Sequence, residues 1–294
     1  MVHYPNIIAV ILVLLFKCSN QKLVVFWHSD IVSQKILKKI FNIFDFLLLC
    51  RSDVIIATSP NYVQGSNILK RFLHKIEVVP LSTVCREICE NNVSEDIRNI
   101  VISNDKYLLS IGRLIEYKGF DYLIKSLSYS ESKLPLIIVG KGPLESYLKS
   151  LVCNLNLEDS VIFLGGVTDN EKNFLLKNSY LFCLGSFLRS EAFGVVILES
   201  FSHSVPAITF DIPDSGVPWV NSNNFSGITV PNKNYKVMAS EIDNLVYSPD
   251  LRESLSLGAR FKFTNYFNEE TFNKNILNIL TQQIFTGGKL HGRW

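Results

Sequence analysis

Short apolar runs separated by polar stretches recur along the chain. Such runs, which are typical of buried strands, cover residues 23–27, 54–58, 76–80, 107–111, 136–139, 161–163, 180–184 and 207–210. Longer stretches with helical character lie between them, for example at residues 121–127, 144–155 and 170–177. Regular alternation of this kind predicts an α/β fold in which helices cover both faces of parallel sheets. Such sheets bind ligands at the carboxyl ends of their strands.

The alternation is interrupted once, by a polar segment at residues 85–104 that is rich in glutamate and asparagine. This segment is interpreted as a linker, with room for a short helix. It divides the chain into a first domain at residues 1–84 and a second at residues 105–267. Each is predicted to consist of strand–helix units around a parallel sheet.

Two other stretches raise the question of membrane contact. The ten apolar residues from Ile7 to Phe16 are too few to span a bilayer, and no basic segment or small-residue cleavage site marks a signal peptide. They are predicted to form a buried helix, with membrane contact as the alternative. A second helix, over residues 34–49, carries Lys35, Lys38 and Lys39 on one side. Its lysines suit either a membrane surface or solvent.

Composition excludes some classes of protein. A hydrophobic content of 47% in 294 residues is ample for a core, and a net charge of +2 argues against a nucleic-acid binder. The six cysteines are scattered, which fits a reducing cytoplasm. Cys85 and Cys89 lie four residues apart, but no second pair or nearby histidine completes a metal site.

The strongest chemical signal is a pair of glutamates, Glu191 and Glu199, around an apolar run that follows a strand. The order is strand, short loop, helix. Gly194 would let the backbone approach a ligand at the helix start, where free N–H groups suit phosphate. Glu191 is expected at the mouth of this ligand site, and Glu199 about two helical turns farther in, roughly 12 Å along the helix. The alternative is a helix with one exposed and one capping glutamate.

A second segment favours the ligand-site interpretation of the two glutamates. Residues 109–120 read Leu-Ser-Ile-Gly-Arg-Leu-Ile-Glu-Tyr-Lys-Gly-Phe, and a glycine-bearing strand end follows at residues 139–143. With the glutamate pair, these segments resemble the retaining glycosyltransferases of family 4, most closely the bacterial members that build surface polysaccharide. The resemblance covers nearly the whole chain, from Val2 to about Leu280. It implies the GT-B fold of two Rossmann-like domains, with a terminal helix near residues 268–284 that packs back on the first domain.

The resemblance assigns roles to the charged residues. Arg113 would hold the donor's diphosphate with its planar fork, and Lys118 would add a point charge. Glu199 would accept hydrogen bonds from the ribose hydroxyls, and Glu191 would face the transferred sugar. His28, which ends the strand at residues 23–27, would face that sugar across the cleft. Capping of the next helix is the alternative role for this histidine.

Further donor contacts are expected from glycines and backbone amides at the strand ends. By resemblance, the amides around Phe193 meet sugar and phosphate, the glycines near residue 140 let base and ribose approach, and the loop after residue 210 touches the donor. These residues are Gly112, Gly140, Gly142, Phe193, Gly194, Val195, Ser215 and Gly216. Ser204 stands where relatives carry glycine, which predicts strain at a helix end.

The chemistry implied is transfer of a sugar from a UDP- or GDP-sugar to a glycan or undecaprenyl-linked acceptor. The protein would stabilise negative charge on the leaving diphosphate. No metal and no cofactor are expected. The family is held to transfer with retention, by front-face attack. The enzyme would be cytoplasmic, with the inner membrane surface as a candidate partner.

The start of the chain departs from the family pattern. Residues 2–6 resemble the end of a strand and its loop from the interior of the first domain, so that domain is expected to be incomplete. Two interpretations follow: a retaining glycosyltransferase, or a non-catalytic remnant that binds nucleotide sugar without transferring it. A sugar epimerase of the same fold fits less well, because the glutamate pair points to transfer. The chain as written is expected not to turn over.

Overall fold

A computed structural model describes residues 1–30 and 35–285, which form two parallel β-sheets with helices around them. The first sheet, in the order β1-β2-β3-β4, contains Val2–Tyr4 (β1), Val24–Trp27 (β2), Val54–Ala57 (β3) and Ile76–Val78 (β4). The second has the order β10-β9-β8-β5-β6-β7. Its strands are Leu108–Ile111 (β5), Leu136–Val139 (β6), Val161–Gly165 (β7), Leu181–Leu184 (β8), Ala207–Asp211 (β9) and Gly227–Pro231 (β10).

The helices alternate with the strands as far as the last strand, after which three helices follow one another. Those that precede the second sheet are Ile7–Phe16 (α1), Lys35–Arg51 (α2), Pro60–Gly65 (α3) and Glu95–Ser103 (α4). Those that follow β5 are Phe120–Leu127 (α5), Glu145–Asn154 (α6), Asp169–Asn178 (α7), Val195–Ser202 (α8), Val217–Val220 (α9), Tyr235–Tyr247 (α10), Pro249–Lys262 (α11) and Glu269–Phe285 (α12). A π-helical turn, Phe263–Phe267, joins the last two.

The eight apolar runs all form strands, with boundaries within two residues of the prediction. The sequence pattern missed β10, a short strand between a glycine and a proline. This strand pairs with β9 alone and forms one edge of the second sheet. An edge position explains how Pro231, which has no N–H to donate, is accommodated in a strand.

Helix α1 has the predicted bounds, but the prediction that it is buried is wrong. Val10 is its one buried residue, whereas Ile8, Leu15 and Phe16 are 72, 70 and 71% exposed. The helix is apolar on every side, and packing on β1 and α2 covers only one of those sides. None of the described helices has the length and apolar content needed to cross a membrane. The side chains of Lys35, Lys38 and Lys39 lie outside the described residues.

Two segments connect the sheets. Helix α12 lies on the first sheet, where Ile276 and Ile279 pack with Val24, Phe26 and Ile56. Within the linker, Val93 and Ile97 belong to the core of the second sheet. The predicted domain boundaries therefore stay predictions, although each sheet has its own core.

The strain expected at Ser204 is present. Its φ angle is +62°, in the left-handed region that glycine occupies at little cost. This residue lies in the tight connection between α8 and β9. The connection is at the edge of the sheet away from the carboxyl ends, so the strain lies outside the candidate site.

The packing of α12 gives a stability prediction. Ile276→Ala should lower the free energy of unfolding by about 2–4 kcal/mol, because it removes buried methyl groups between α12 and the first sheet. Urea unfolding measures the change. Leu277→Ala is the matched control, since Leu277 is 61% exposed on the same helix and should change stability by less than about 0.5 kcal/mol. Equal effects of the two substitutions would contradict this packing.

Candidate active site

A close backbone contact brings two loops together at the carboxyl edge of the second sheet. One loop follows β5 and ends at Gly119, and the other begins at Gly185 after β8. Gly119 has a φ of +61°, and a Cβ atom placed there would lie 2.0 Å from the carbonyl oxygen of Gly185. The amide of Phe187 donates to the carbonyl of Tyr117 at 3.1 Å. Glycine at both positions is therefore what allows the two sequence motifs to meet.

The contact places Lys118 beside Glu191. The Lys118 Nζ lies 2.6 Å from Glu191 Oε2, and both side chains are largely buried, with 14 and 11% of their surface exposed. The hydroxyl of Ser186 donates to the same carboxylate oxygen at 2.8 Å. Within the described residues no partner contacts the other oxygen, Oε1. The predicted sugar-facing carboxylate is thus held rigidly, with one oxygen free to act on a ligand.

Helix α8 starts at Val195, four residues after Glu191. Gly194 has a φ of +79°, which a glycine adopts readily at a helix start. In the described part of the chain, the amides of Gly194 and Val195 donate to no acceptor. The Phe193 ring is buried against Trp219 and Phe267, so only its backbone can face a ligand. Free amides at a helix start form a suitable anion site.

Glu199 lies closer to the helix start than predicted. Since α8 begins at Val195, Glu199 is its fifth residue, just over one turn in rather than two. Its carboxylate accepts from Lys172 Nζ at 2.8 Å, and 22% of each side chain is exposed. Burial by itself would lower the pKa of Lys172, but the hydrogen bond and charge of Glu199, with Asp169, raise it. Among the described residues the second Glu199 oxygen has no hydrogen-bond partner, so it is available to another donor.

The predicted diphosphate ligand Arg113 occupies a different environment from Lys118. Its side chain is exposed, and no hydrogen bond or ion pair to it is found among residues 1–30 and 35–285. Arg113 follows Gly112, whose amide donates to the carbonyl of Val139 at 2.9 Å. This places an uncompensated cation at the same sheet edge as Lys118.

The glycines after β6 have a structural role. A Cβ atom on Gly140 would lie 1.8 Å from the carbonyl oxygen of Gly112, and one on Gly142 would lie 2.4 Å from that of Leu114. Larger residues at either position would push the β5 and β6 loops apart. Contact of these glycines with base and ribose stays a prediction.

The loop after β9 is hydrogen-bonded to the loop that carries Glu191. The buried hydroxyl of Ser215 donates to the carbonyl of Glu191, and the amide of Gly216 donates to that of Ala192 at 2.9 Å. A Cβ atom on Gly216 would lie 2.7 Å from Ser59 Oγ in the first domain. Ser215 and Gly216 therefore fix the Glu191 loop, while their contact with a donor stays a prediction.

The histidine that was expected to face the sugar packs within the first domain. Its Nε2 atom lies 2.8 Å from His3 Nδ1, and its ring stacks on Phe26 with centroids 4.5 Å apart. Burial and the neighbouring His3 both lower the pKa of His28, so its neutral form is favoured. In the described residues no hydrogen bond or ring contact joins His28 to the second domain.

A cavity of about 270 Å³ lies in the first domain, beside the loop that carries Glu191. Its lining combines the side chains of Tyr4, Trp27, Asp45 and Arg71 with that of Arg189 from the second domain. Asp45 accepts from the Tyr4 hydroxyl at 2.8 Å, and burial raises the pKa of this carboxyl to about 6. The cavity thus carries both aromatic and polar groups.

Sequence reasoning missed three residues that the fold brings to the site: Ser186, Arg189 and Lys172. The first two lie within five residues of Glu191, so proximity in sequence was an available signal. Lys172 is 27 residues from Glu199 and carries no motif of its own. Among the described residues, no group of three or more His, Cys, Asp or Glu side chains could hold a metal ion.

This chain belongs to the glycosyl transferases group 1 family, which matches residues 93–261, more than half of the chain. It is 29% identical over 266 residues to O-antigen chain mannosyltransferase C of Escherichia coli, covering 89% of this chain and 69% of that protein. It is 29% identical over 249 residues to D-rhamnosyltransferase WbpZ of Pseudomonas aeruginosa, covering 84% of this chain and 64% of the relative. The chain thus spans about two thirds of the length of these relatives.

Solved structures establish the fold. Anabaena Alr3699/HepE, determined in complex with UDP, superimposes with a TM-score of 0.73 at 18% identity, covering 88% of this chain and 72% of that one. A glycosyltransferase from Rickettsia africae superimposes with the same score at 22% identity, covering 91 and 72%. The α/β architecture with two parallel sheets is therefore that of the GT-B glycosyltransferases.

Proposed function

We propose that this protein transfers a sugar, with retention of configuration, from a UDP- or GDP-sugar to a glycan or lipid-linked acceptor in surface-polysaccharide biosynthesis. The observation that carries the proposal is the Lys118–Glu191 pair, which lies next to the free amides at the start of α8. A carboxylate, a cation and an anion-binding helix start are the groups that a sugar diphosphate requires. Glu199 on the same helix supplies an acceptor for ribose hydroxyls.

In the proposed reaction the bond between the anomeric carbon and the phosphate oxygen breaks, while the acceptor's hydroxyl oxygen bonds to that carbon from the same face and the hydroxyl proton passes to the leaving diphosphate. Negative charge then grows on the diphosphate, and Arg113, Lys118 and the α8 amides are placed to stabilise it. Lys118 has three donors, so it can bind a phosphate oxygen while it still touches Glu191. Glu191, with its free Oε1, would face the sugar ring, on which positive charge develops.

The different partners of the two glutamates argue against a hydrolase-like mechanism. Glu191 pairs with Lys118 and Glu199 pairs with Lys172, so the two carboxylates occupy distinct surroundings. A retaining glycoside hydrolase needs two carboxyl groups about 5 Å apart across the scissile bond. Front-face attack, with fixed cations in place of a divalent metal, fits the site better.

The acceptor class is inferred from relatives. O-antigen chain mannosyltransferase C and D-rhamnosyltransferase WbpZ are named for sugar transfer, the first to an O-antigen chain. A transferase of Campylobacter jejuni, 28% identical over 55% of this chain and 43% of its own length, is named for a diphospho-undecaprenol acceptor. A growing glycan or an undecaprenyl-linked sugar is therefore the proposed acceptor.

The proposed location is the cytoplasmic face of the inner membrane. Ile8, Leu12, Leu15 and Phe16 form an exposed apolar face on α1, and Ile43 and Leu47 of the neighbouring α2 are also exposed. Leu15→Glu should reduce co-sedimentation with anionic phospholipid vesicles, because it puts a charge on the inserted face. Leu257→Glu is the control, since Leu257 is 65% exposed on α11. Wild-type protein that stays in the supernatant would contradict membrane association.

The second candidate function is a domain that binds nucleotide sugar but transfers nothing. The exposed apolar face of α1 favours it, together with the outer edge of β1, which pairs with no further strand within residues 1–30 and 35–285. Uncovered apolar surface and free strand edges are features that folded proteins normally cover. An acceptor site in the first domain would then lack part of its wall.

Both candidates predict nucleotide binding through Glu199. Glu199→Ala should weaken UDP or GDP about tenfold, because loss of a buried acceptor for the ribose hydroxyls costs about 1–3 kcal/mol. Isothermal titration calorimetry with both nucleotides measures the change. Glu253→Ala is the control, since Glu253 lies on α11 with 65% of its side chain exposed. Equal affinities of Glu199→Ala and wild type would remove Glu199 from the site.

The same titrations test the role of metal. Binding should survive excess EDTA, because Arg113 and Lys118 supply the positive charge, and it should fall steeply in Arg113→Ala. Loss of binding in EDTA would indicate a different class of transferase.

Turnover separates the two candidates. A transferase should move radiolabelled sugar from a UDP- or GDP-sugar to a lipid-linked acceptor, because it holds donor and acceptor together, an effect of roughly 7–11 kcal/mol. A binding-only domain should bind the same nucleotides and leave the acceptor unlabelled. Measurable transfer would exclude the binding-only function, and nucleotide binding without transfer would exclude the transferase.

A further inference from the structure

A guanidinium group joins the loop that carries Glu191 to the first domain. Arg189 lies two residues before Glu191, and its Nη1 atom is 2.7 Å from Asp30 Oδ2 at the end of β2. Its Nη2 atom donates to the carbonyl of Tyr62 at 3.1 Å, and the guanidinium lies 4.2 Å from the centroid of the Tyr62 ring. We define these three residues, Arg189, Asp30 and Tyr62, as the interdomain clasp.

Both sides of the clasp are fixed by further bonds. On the first domain, Asp30 accepts from Trp27 Nε1 at 2.9 Å and from Ser66 Oγ at 3.2 Å. Its backbone amide donates to the Tyr62 hydroxyl at 2.6 Å. The carboxylate is therefore oriented by groups of its own domain before it meets the arginine.

On the second domain, the arginine belongs to a rigid turn. Its Nε atom donates to the carbonyl of Asp214 at 2.9 Å, in the loop after β9. The Glu191 amide donates to the carbonyl of Leu188 at 2.9 Å, which closes the turn around Arg189. A displacement of Arg189 would therefore move the backbone of Glu191.

The ion pair is less exposed to solvent than an ordinary surface pair. The exposed fractions of its side chains are 21% for Arg189 and 16% for Asp30. Partial burial reduces solvent screening, and an arginine–carboxylate bond is charge-assisted. In addition to this bond the arginine contacts the Tyr62 ring, the Tyr62 carbonyl and the Asp214 carbonyl, so a lysine could replace only part of its contacts.

We propose that Arg189 is a positioning residue that couples contact between the two domains to the placement of the Glu191 carboxylate. The inference deepens the proposed function and rests on it, since it takes Glu191 as the group that meets the donor sugar. When Asp30 holds Arg189, the turn at residues 188–191 is anchored to both domains. When that bond is lost, the turn keeps only its contacts within the second domain, and the Glu191 backbone and carboxylate are less firmly held.

The first experiment changes Asp30, which lies in the domain opposite Glu191, and compares the affinities for nucleotide and for nucleotide sugar. Asp30→Asn keeps the size of the side chain and an acceptor for Trp27, but removes the charge that holds Arg189. In calorimetry, affinity for UDP or GDP should change less than about twofold, while affinity for UDP-glucose or GDP-mannose should fall about fivefold to tenfold, because only the sugar meets Glu191. Arg189→Met should show the same split, and Arg189→Lys should restore part of it.

Arg71→Met is the matched control. Arg71 lines the same cavity as Arg189 and stacks on Phe46 within the first domain, with its guanidinium 4.4 Å from the ring centroid. It has the same charge but no contact across the domains in the described part of the chain. If Asp30→Asn binds nucleotide and nucleotide sugar as Arg71→Met does, the proposal is overturned.

A second measurement does not depend on ligand. Hydrogen exchange of the Glu191 amide should be about tenfold faster or more in Asp30→Asn and Arg189→Met than in wild type, and the double variant should add little to either. Unchanged exchange in Asp30→Asn would overturn the coupling. If wild-type protein binds neither nucleotide, the proposed function fails, and the exchange rates alone decide whether the clasp fixes this turn.

Discussion

The backbone contact between Gly119 and Gly185 is the constraint on which the candidate site depends. A side chain at Gly119 would have its Cβ atom 2.0 Å from the Gly185 carbonyl oxygen, so any other residue would force the two loops apart. Because they touch, Lys118 at the end of one loop reaches Glu191 in the other, 73 residues away in sequence. The Ser186 hydroxyl and the free amides of α8 then lie close to the Glu191 carboxylate.

Paired charges dominate the surroundings of that contact. Glu191, Glu199 and Asp30 each pair with a different cation, and all three pairs are partly buried. Pairing lowers the cost of holding carboxylates away from water and fixes their direction. Arg113, which is exposed, is a cation at this edge without a carboxylate partner in the described residues. The arrangement holds acceptors in place for hydroxyl groups while leaving positive charge for an anion.

The two domains differ in how completely they are covered. The second sheet has six strands and one extensive core, whereas the first has four strands and an apolar helix that is exposed on most of its surface. Helix α12, which follows the π-helical turn, packs on the first sheet and contributes to a small separate core there. The terminal helix and the interdomain clasp thus join the domains at separate places, one through apolar packing and one through charge.

Local patterns in the sequence determined much of this architecture. Apolar runs such as residues 136–139 became buried strands because a parallel sheet covered on both faces needs continuous apolar side chains. The order of motifs indicated the family and the sheet edge at which the candidate residues gather. Gly119 and Gly194 lie within these motifs, where a glycine indicates an unusual backbone conformation, and both have positive φ angles.

Tertiary structure decided what each side chain meets. The pairing of Glu199 with Lys172, the clasp between Arg189 and Asp30, and the stacking of His28 on His3 depend on contacts between distant segments, which no local pattern encodes. The exposure of α1 was decided in the same way, because an apolar sequence predicts a helix that could be buried but does not specify a neighbour to cover it. The sequence by itself therefore determined the elements and their order, while the fold determined the partners of the charged groups, since those partners meet only when loops from different strands converge at one sheet edge.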